Sequence, residues 1–390
     1  MENIIGAVRY GIKISKKEKN PDKRVTYIHD AKDLQPARMN FDTGVFEYGS
    51  WQSRAFAAPE NNYPCMVKAD GTEDYKLMQE DYTKREDGAA SDVANTDYAG
   101  NAMAAFKGGW LCQYETEADE YIIWSNVKYD DGYNAYHRTA PDGSIREGFY
   151  RHIYMPTLID GKARSISGAE IMGGFTAKQE RQLCKANGEA WEQSTWQQWN
   201  YIICLLKIMA KTDDLQAAYG YGNCDNPAWE ALPTGTLNDK GQFYGSREKD
   251  KQVKVFHTEA LWGDKWERLA GLIVDNGTVK VHTHGEYNFT GQGYKSVYRY
   301  IIRSFDYGFV DGTVMTPYGR FPVSFNGGRH EYTADYGAID AEIVSVPLVG
   351  GCCSSGLNCG ASVNLNNAAS NAAWYLAPGL SCIMPNTAEQ

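Results

Sequence analysis

The chain has 390 residues, 43% of them hydrophobic and 13% aromatic, with 39 Gly and 27 Tyr beside only 23% charged residues. This composition is globular and excludes a disordered chain. Thirty-nine Lys and Arg against 49 Asp and Glu give a net charge of −10, which argues against nucleic acid or an anionic membrane as a partner. Nine cysteines, an odd number scattered over a long chain, argue against a disulfide framework and predict reduced thiols.

Met1 to Arg9 carries an early acid and no sustained apolar core, so it does not read as a signal peptide, and synthesis in a cytoplasm is expected. Residues 1 to about 86 read as short strands and turns, with strands near 7–14 and 24–28 and turns at Asp42-Thr43-Gly44 and Asp70-Gly71. The small-residue stretch Asp87 to Ala105 is the best candidate boundary, which predicts a β-rich N-terminal region over 1–100 and a larger domain over 101–390. Trp110–Tyr114 and Tyr121–Trp124 flank an acidic turn and predict a hairpin.

Two helices follow. Thr176-Ala177-Lys178-Gln179 and Thr195-Trp196-Gln197-Gln198 are capping-box patterns, predicting helices over roughly 177–187 and from 196 to about 211. In the second, Trp196, Trp199, Ile202, Ile203, Leu206 and Met209 fall at helical spacing and predict one apolar face. Asp213–Tyr219 adds a short third turn. The most apolar stretch, Tyr201–Ala210, is about half the length needed to cross a bilayer and contains Lys207, so no membrane insertion is expected. From Lys251 onward strands return, with Asp275-Asn276-Gly277 as a hairpin turn. Helices followed by a long β region make the fold class α+β.

The clearest anomaly lies late in the sequence. Between Glu342 and Glu389 there is no Asp, Glu, Lys, Arg or His, although Val346, Leu348, Val363, Leu365, Trp374, Leu376, Leu380 and Ile383 recur throughout. Repeated Asn, Ser and Gly rule out a membrane anchor, and the apolar residues rule out a linker. An ordered, neutral, Gly-rich segment remains.

Tests for chemistry are negative or weak. His282-Thr283-His284 places two imidazoles on one strand face without an evident third ligand, and Cys352, Cys353, Cys359 and Cys382 match no zinc knuckle, so no metal is expected. Tyr219-Gly220-Tyr221-Gly222-Asn223 follows a helix instead of opening one, and fails as a phosphate loop. No nucleophile elbow or His-Glu-x-x-His pair occurs, so neither a catalytic residue nor a cofactor is assigned.

The terminal segment opens with Gly350-Gly351 and contains Asn364-Leu365-Asn366-Asn367-Ala368-Ala369-Ser370-Asn371. Here the sequence resembles the C-terminal variable region of proteins diversified by diversity-generating retroelements, in which a Gly-Gly start, hypervariable positions and such an Asn-rich block alternate. The resemblance extends upstream through Tyr154-Met155-Pro156, Trp191, Trp196-Gln197-Gln198-Trp199 and Tyr219–Asn223, over roughly 101–390. It implies a C-type lectin fold, shared with formylglycine-generating enzymes. The N-terminal third, with Tyr10-Gly11-Ile12-Lys13-Ile14-Ser15, is similar to phage structural proteins that mount such a domain on a tail.

What the resemblance implies is a non-enzymatic ligand-binding protein of a phage tail, made in the bacterial cytoplasm and carried on the virion, binding a host cell-surface protein or glycan beside other tail proteins. A homotrimer would suit a tail component, although no coiled-coil heptads support it. Adenine rewriting in that family yields residues such as Cys, Ser, Leu, Ala and Tyr. By the resemblance, the ligand-binding positions are Cys352, Cys353, Ser354, Ser355, Leu357, Cys359, Ala361, Ala373, Tyr375 and Ala377. They are expected to form a shallow, neutral face with exposed cysteines and Tyr375 as its anchor. The alternatives are an oxidase resembling formylglycine-generating enzymes and a structural virion or pilus component. A buried terminal hairpin would also explain the missing charge.

Overall fold

A computed structural model describes residues 6–300 and 305–385. It is built mostly of strands, with few helices.

The strands used below are β1 (Arg9–Ser15), β2 (Val25–His29), β3 (Asn62–Lys68), β4 (Glu73–Met78), β5 (Asp81–Arg85), β6 (Gly100–Lys107), β7 (Trp110–Glu115), β8 (Asp119–Ser125) and β9 (Gly148–His152). Then come α1 (Ala177–Lys185), β10 (Trp191–Gln193), α2 (Trp196–Ala210) and α3 (Leu215–Tyr219). The last part holds β11 (Trp266–Arg268), β12 (Leu272–Asp275), β13 (Thr278–Val281), β14 (Lys295–Arg299), β15 (Phe305–Phe309), β16 (Tyr336–Asp340), β17 (Val344–Val349), β18 (Val363–Ala368), β19 (Leu376–Pro378) and β20 (Leu380–Ile383).

Three sheets carry the fold among the described residues. One has the order β2-β1-β8-β7, a second β10-β20-β9-β6-β3-β4-β5, and a third runs β14-β13-β12-β17-β18-β16-β15, with β11 joining β17 to β19. The expected boundary near residue 100 does not coincide with a break in this pairing. β1 pairs with β8 along its whole length, and β3 pairs with β6 from Asn62 opposite Phe106 to Lys68 opposite Gly100. The small residues of β6 that suggested a linker, Ala102, Ala104 and Ala105, instead fit the crowded middle of a sheet with both faces covered.

Local signals worked where they were local. Thr176 and Thr195 both accept from the backbone N–H three residues on, with Gln179 and Gln198 closing the two capping boxes. The α2 helix departs from the expected single apolar face, because every residue except Ile203 is buried. It is enclosed by strands, and its polar side chains have partners. Asn200 donates to Gln113 at 2.7 Å, and Lys207 donates to Asp213 at 2.6 Å.

Asp213 is the centre of a buried charge cluster. It pairs with Lys207 at 2.6 Å, Arg320 at 2.8 Å and Arg24 at 3.5 Å, while Arg320 also meets Glu120 at 2.6 Å. The cluster ties the segment before β2, strand β8, helix α2 and the 319–324 strand together. A second pair, Arg268 with Glu180 at 2.7 Å, and a third, Arg151 with Glu267, lie fully buried under the terminal strands.

Candidate functional site

The terminal segment is ordered by its neighbours. β17 lies between β12 and β18, β18 between β17 and β16, β19 beside β11, and β20 between β10 and β9. All residues of β19 and most of β17 and β20 are buried. Burial therefore accounts for much of the missing charge, as the terminal-hairpin reading would have it.

Gly350 and Gly351 turn the chain out of β17 at φ of 88° and 82°. A Cβ on Gly351 would stand 2.4 Å from the Cys359 sulfur, so the turn closes only around glycine. The loop that follows is held almost entirely through its backbone. Cys353 N–H donates to the Asp264 carbonyl at 3.0 Å, Asn226 N–H to the Cys353 carbonyl at 2.9 Å, and Gly356 N–H to the Cys224 carbonyl at 2.6 Å. Ala361 N–H donates to the Asp335 carboxylate at 2.9 Å, and Cys352 N–H to the Ser355 hydroxyl, also at 2.9 Å.

The next turn is fastened in the same way. Arg268 Nη2 donates to the Asn371 carbonyl at 2.9 Å, Gly174 N–H to the Ala373 carbonyl at 2.9 Å, and Trp266 N–H to the Tyr375 carbonyl at 2.9 Å. These bonds fix the turn after β18 over the buried Arg268–Glu180 pair.

The expected binding positions divide. Ser354 is exposed, and Ser355, Ala373 and Tyr375 are half-buried at the surface. Cys352, Cys353, Cys359, Ala361 and Ala377 are buried, so the expectation of exposed cysteines is corrected. Their small side chains turn inward. Cys352 packs with Trp266, Leu348 and Leu376, and Ala377 with Met155 and Ile171. The side chain of Leu357 lies outside what is described.

Two exposed tryptophans, not singled out from the sequence, join this face. Trp374 is 48% exposed with its ring at right angles to Tyr375, and Trp229 is 67% exposed. Trp229 sits in a turn whose Asn226 is bonded to Cys353, and its backbone is left-handed at φ 55°. Such a conformation is unfavourable for a bulky residue and is held by the turn. Asn226-Pro227 was the available turn signal, but exposure cannot be read from it. Beside Trp374 opens a cleft of about 500 Å³, walled by Leu158, Glu170, Met172, Gly173 and Lys265. The Lys265 ammonium donates to the Ile171 carbonyl at 2.7 Å and closes one end.

Beneath the face, two buried carboxylates hold the loop. Asp264 accepts from Asn223 at 2.6 Å, Leu232 N–H at 2.7 Å and Gln252 at 2.8 Å. Burial pushes its carboxyl up to about 6, against these hydrogen bonds. The Tyr219–Asn223 motif thus serves the scaffold, since the amide of its last residue, Asn223, is an Asp264 partner. Burial also pushes the Asp335 carboxyl up to about 7, helped by Asp213 and Asp214 and opposed by Lys207.

A raised carboxyl stabilises the fold fully below its unfolded value near 4, and that contribution is lost as pH rises through about 7. Asp335→Asn keeps an acceptor for Ala361. It is expected to flatten the loss of stability between pH 4 and pH 8, on the order of a few kcal/mol, in urea unfolding at a series of pH values. Equal slopes for the two proteins would contradict this assignment.

The rings of His282 and His284 lie 6.1 Å apart, and His282 stacks on Tyr294 at 4.9 Å. Among the described residues no group of three His, Cys, Asp or Glu side chains is arranged to hold a metal ion. No described helix is long and apolar enough to cross a membrane. No protein-family model matches the chain, and no curated protein matches it.

Proposed function

We propose that the protein binds a ligand, without catalysis, through the face formed by Ser354, Ser355, Ala373, Trp374 and Tyr375 and flanked by Trp229. One observation carries this reading: the loop and the turn that present these side chains are held by backbone atoms at Cys352, Cys353, Gly356, Ala361, Asn371, Ala373 and Tyr375. Side chains there can change while the holding bonds persist, which is what a diversified surface requires. The resemblance to retroelement-diversified variable proteins supplies the rest: a C-type lectin-like fold and adhesion of a phage tail to a host surface protein or glycan. The aromatic pair Trp374 and Tyr375 is the natural anchor of such an interface.

The burial pattern makes the test two-sided. Substituting Ser354, Ser355, Ala373 and Tyr375 together is expected to change or abolish binding to host cells while stability stays within about 1 kcal/mol, as for surface sites. Ala377→Tyr, at a buried position, is expected to cost about 1–3 kcal/mol by overpacking. Binding to a panel of bacterial cells and urea midpoints measure both. Unchanged binding by the fourfold variant would refute the proposal.

A further inference from the structure

The loop of the proposed face brings a cysteine onto a cysteine of the scaffold. Cys224, just after α3, and Cys359, on the far side of the loop, are both buried with no exposed surface, and their thiols are in hydrogen-bond contact. The stretch between 352 and 359 wraps this pair. Gly356 N–H donates to the Cys224 carbonyl, Asn226 N–H to the Cys353 carbonyl, and the Cys359 sulfur contacts the Cys352 carbonyl at 3.5 Å. Gly351 leaves the space that the Cys359 sulfur occupies.

We infer that Cys224 and Cys359 are a redox site, oxidised by a peroxide to a disulfide that fastens the binding loop to the scaffold. The two thiols are not equivalent. The hydrogen bond from Cys359 holds the Cys224 thiol below its ordinary value, with Lys249 and Arg329 nearby, whereas burial raises Cys359. Cys224 is therefore the attacking thiolate and Cys359 the resolving thiol. Elsewhere burial pushes the thiols of Cys65, Cys112, Cys184, Cys204 and Cys382 up, which makes them inert by comparison.

The chemistry balances with hydrogen peroxide as oxidant. The Cys224 thiolate attacks one peroxide oxygen, the S–O bond forms as the O–O bond breaks, and hydroxide leaves to take up the proton that the thiol had lost. The Cys359 sulfur then attacks the sulfenic acid. The S–S bond forms, the S–O bond breaks, and the departing hydroxide takes the Cys359 proton as water. Two thiols and one peroxide give one disulfide and two waters. Access requires only that the few backbone bonds of the 353–356 stretch open, and Ser354 at its tip is already exposed.

The folded protein is to be treated with hydrogen peroxide, then unfolded, alkylated and mapped by mass spectrometry without reduction. The expected result is a peptide pair joined through Cys224 and Cys359, lighter by two hydrogens, together with hydrogen exchange at 352–362 slowed by about threefold or more. In Cys359→Ser the expected product is a sulfenic acid on Cys224, trapped by dimedone. Recovery of both residues as alkylated thiols would overturn the inference, as would a disulfide between Cys352 and Cys353 or between Cys352 and Cys359. These readouts do not involve ligand, so they stand or fall apart from the proposed binding.

Discussion

Asp213→Asn is expected to destabilise the protein by about 3–5 kcal/mol at pH 7, the cost of breaking a buried ion pair from one side. The substitution keeps the size of the side chain, so packing is not the cause. It leaves Lys207 and Arg24, both almost fully buried, without their carboxylate, and Arg320 with Glu120 alone. Although burial would raise the Asp213 carboxyl, Arg320, Lys207 and Arg24 hold it far below the usual range. A depressed carboxyl contributes its stability above the unfolded value near 4, and loses it as pH falls below that value. The gap between wild type and variant is therefore expected to be full at pH 7 and to shrink under acid. Urea midpoints at pH 7 and near pH 3 measure it, and a gap under about 1 kcal/mol at pH 7 would show that the cluster does not hold these four segments together.

Arg268→Met should come next in size, again at about 3–5 kcal/mol. Arg268 is completely buried and serves three groups: the Glu180 carboxylate on α1 at 2.7 Å, the Phe175 carbonyl at 3.2 Å and the Asn371 carbonyl at 2.9 Å. Burial pushes Glu180 up to about 7 even with this partner, so without it Glu180 becomes neutral and the two carbonyls lose a donor. Adding Glu180→Gln is expected to restore part of the loss, because the second change removes the buried acid that the first one strands. The variant carries a second expectation. The turn from Ala369 to Tyr375 loses its fastening, so affinity should fall although Arg268 never reaches the surface. Chemical denaturation and cell binding separate the two effects, and full affinity in a destabilised Arg268→Met would detach the turn from recognition.

How far these features could be read beforehand depended on the range of the interactions behind them. The capping boxes at Thr176 and Thr195 and the Asn276-Gly277 hairpin turn are made by residues two to four apart, and pattern alone placed them. The environment of α2 was misjudged because spacing reports a face, not what packs on the other side, and Asn200 and Lys207 are neutralised by partners distant in sequence. The small-residue stretch near residue 100 gave no hint of its pairing for the same reason: β3 pairs with β6 and β1 with β8, and no local signal records such pairing. The uncharged segment was legible as ordered. Its inward turn was not, since Cys352, Cys353 and Ala377 are small enough to suit either side of a chain. Trp229 and the cleft beside Trp374 come from long-range packing and left no pattern to find.

The place of β20 has a consequence for how the protein is made. It lies inside its sheet, with β10 on one side and β9 on the other, so that Cys382 faces Trp191 across one ladder and Tyr150 across the other. A chain growing on the ribosome thus carries an open slot, edged by two unpaired strands, until residues 380–383 have emerged. The sheet cannot close from its earlier members alone, and β9 must wait for a partner more than 200 residues downstream. During that interval the nascent chain is at its most vulnerable to wrong partners and to chaperone capture, so slow translation between β18 and β20 should lower the yield of folded protein more than slowing anywhere upstream.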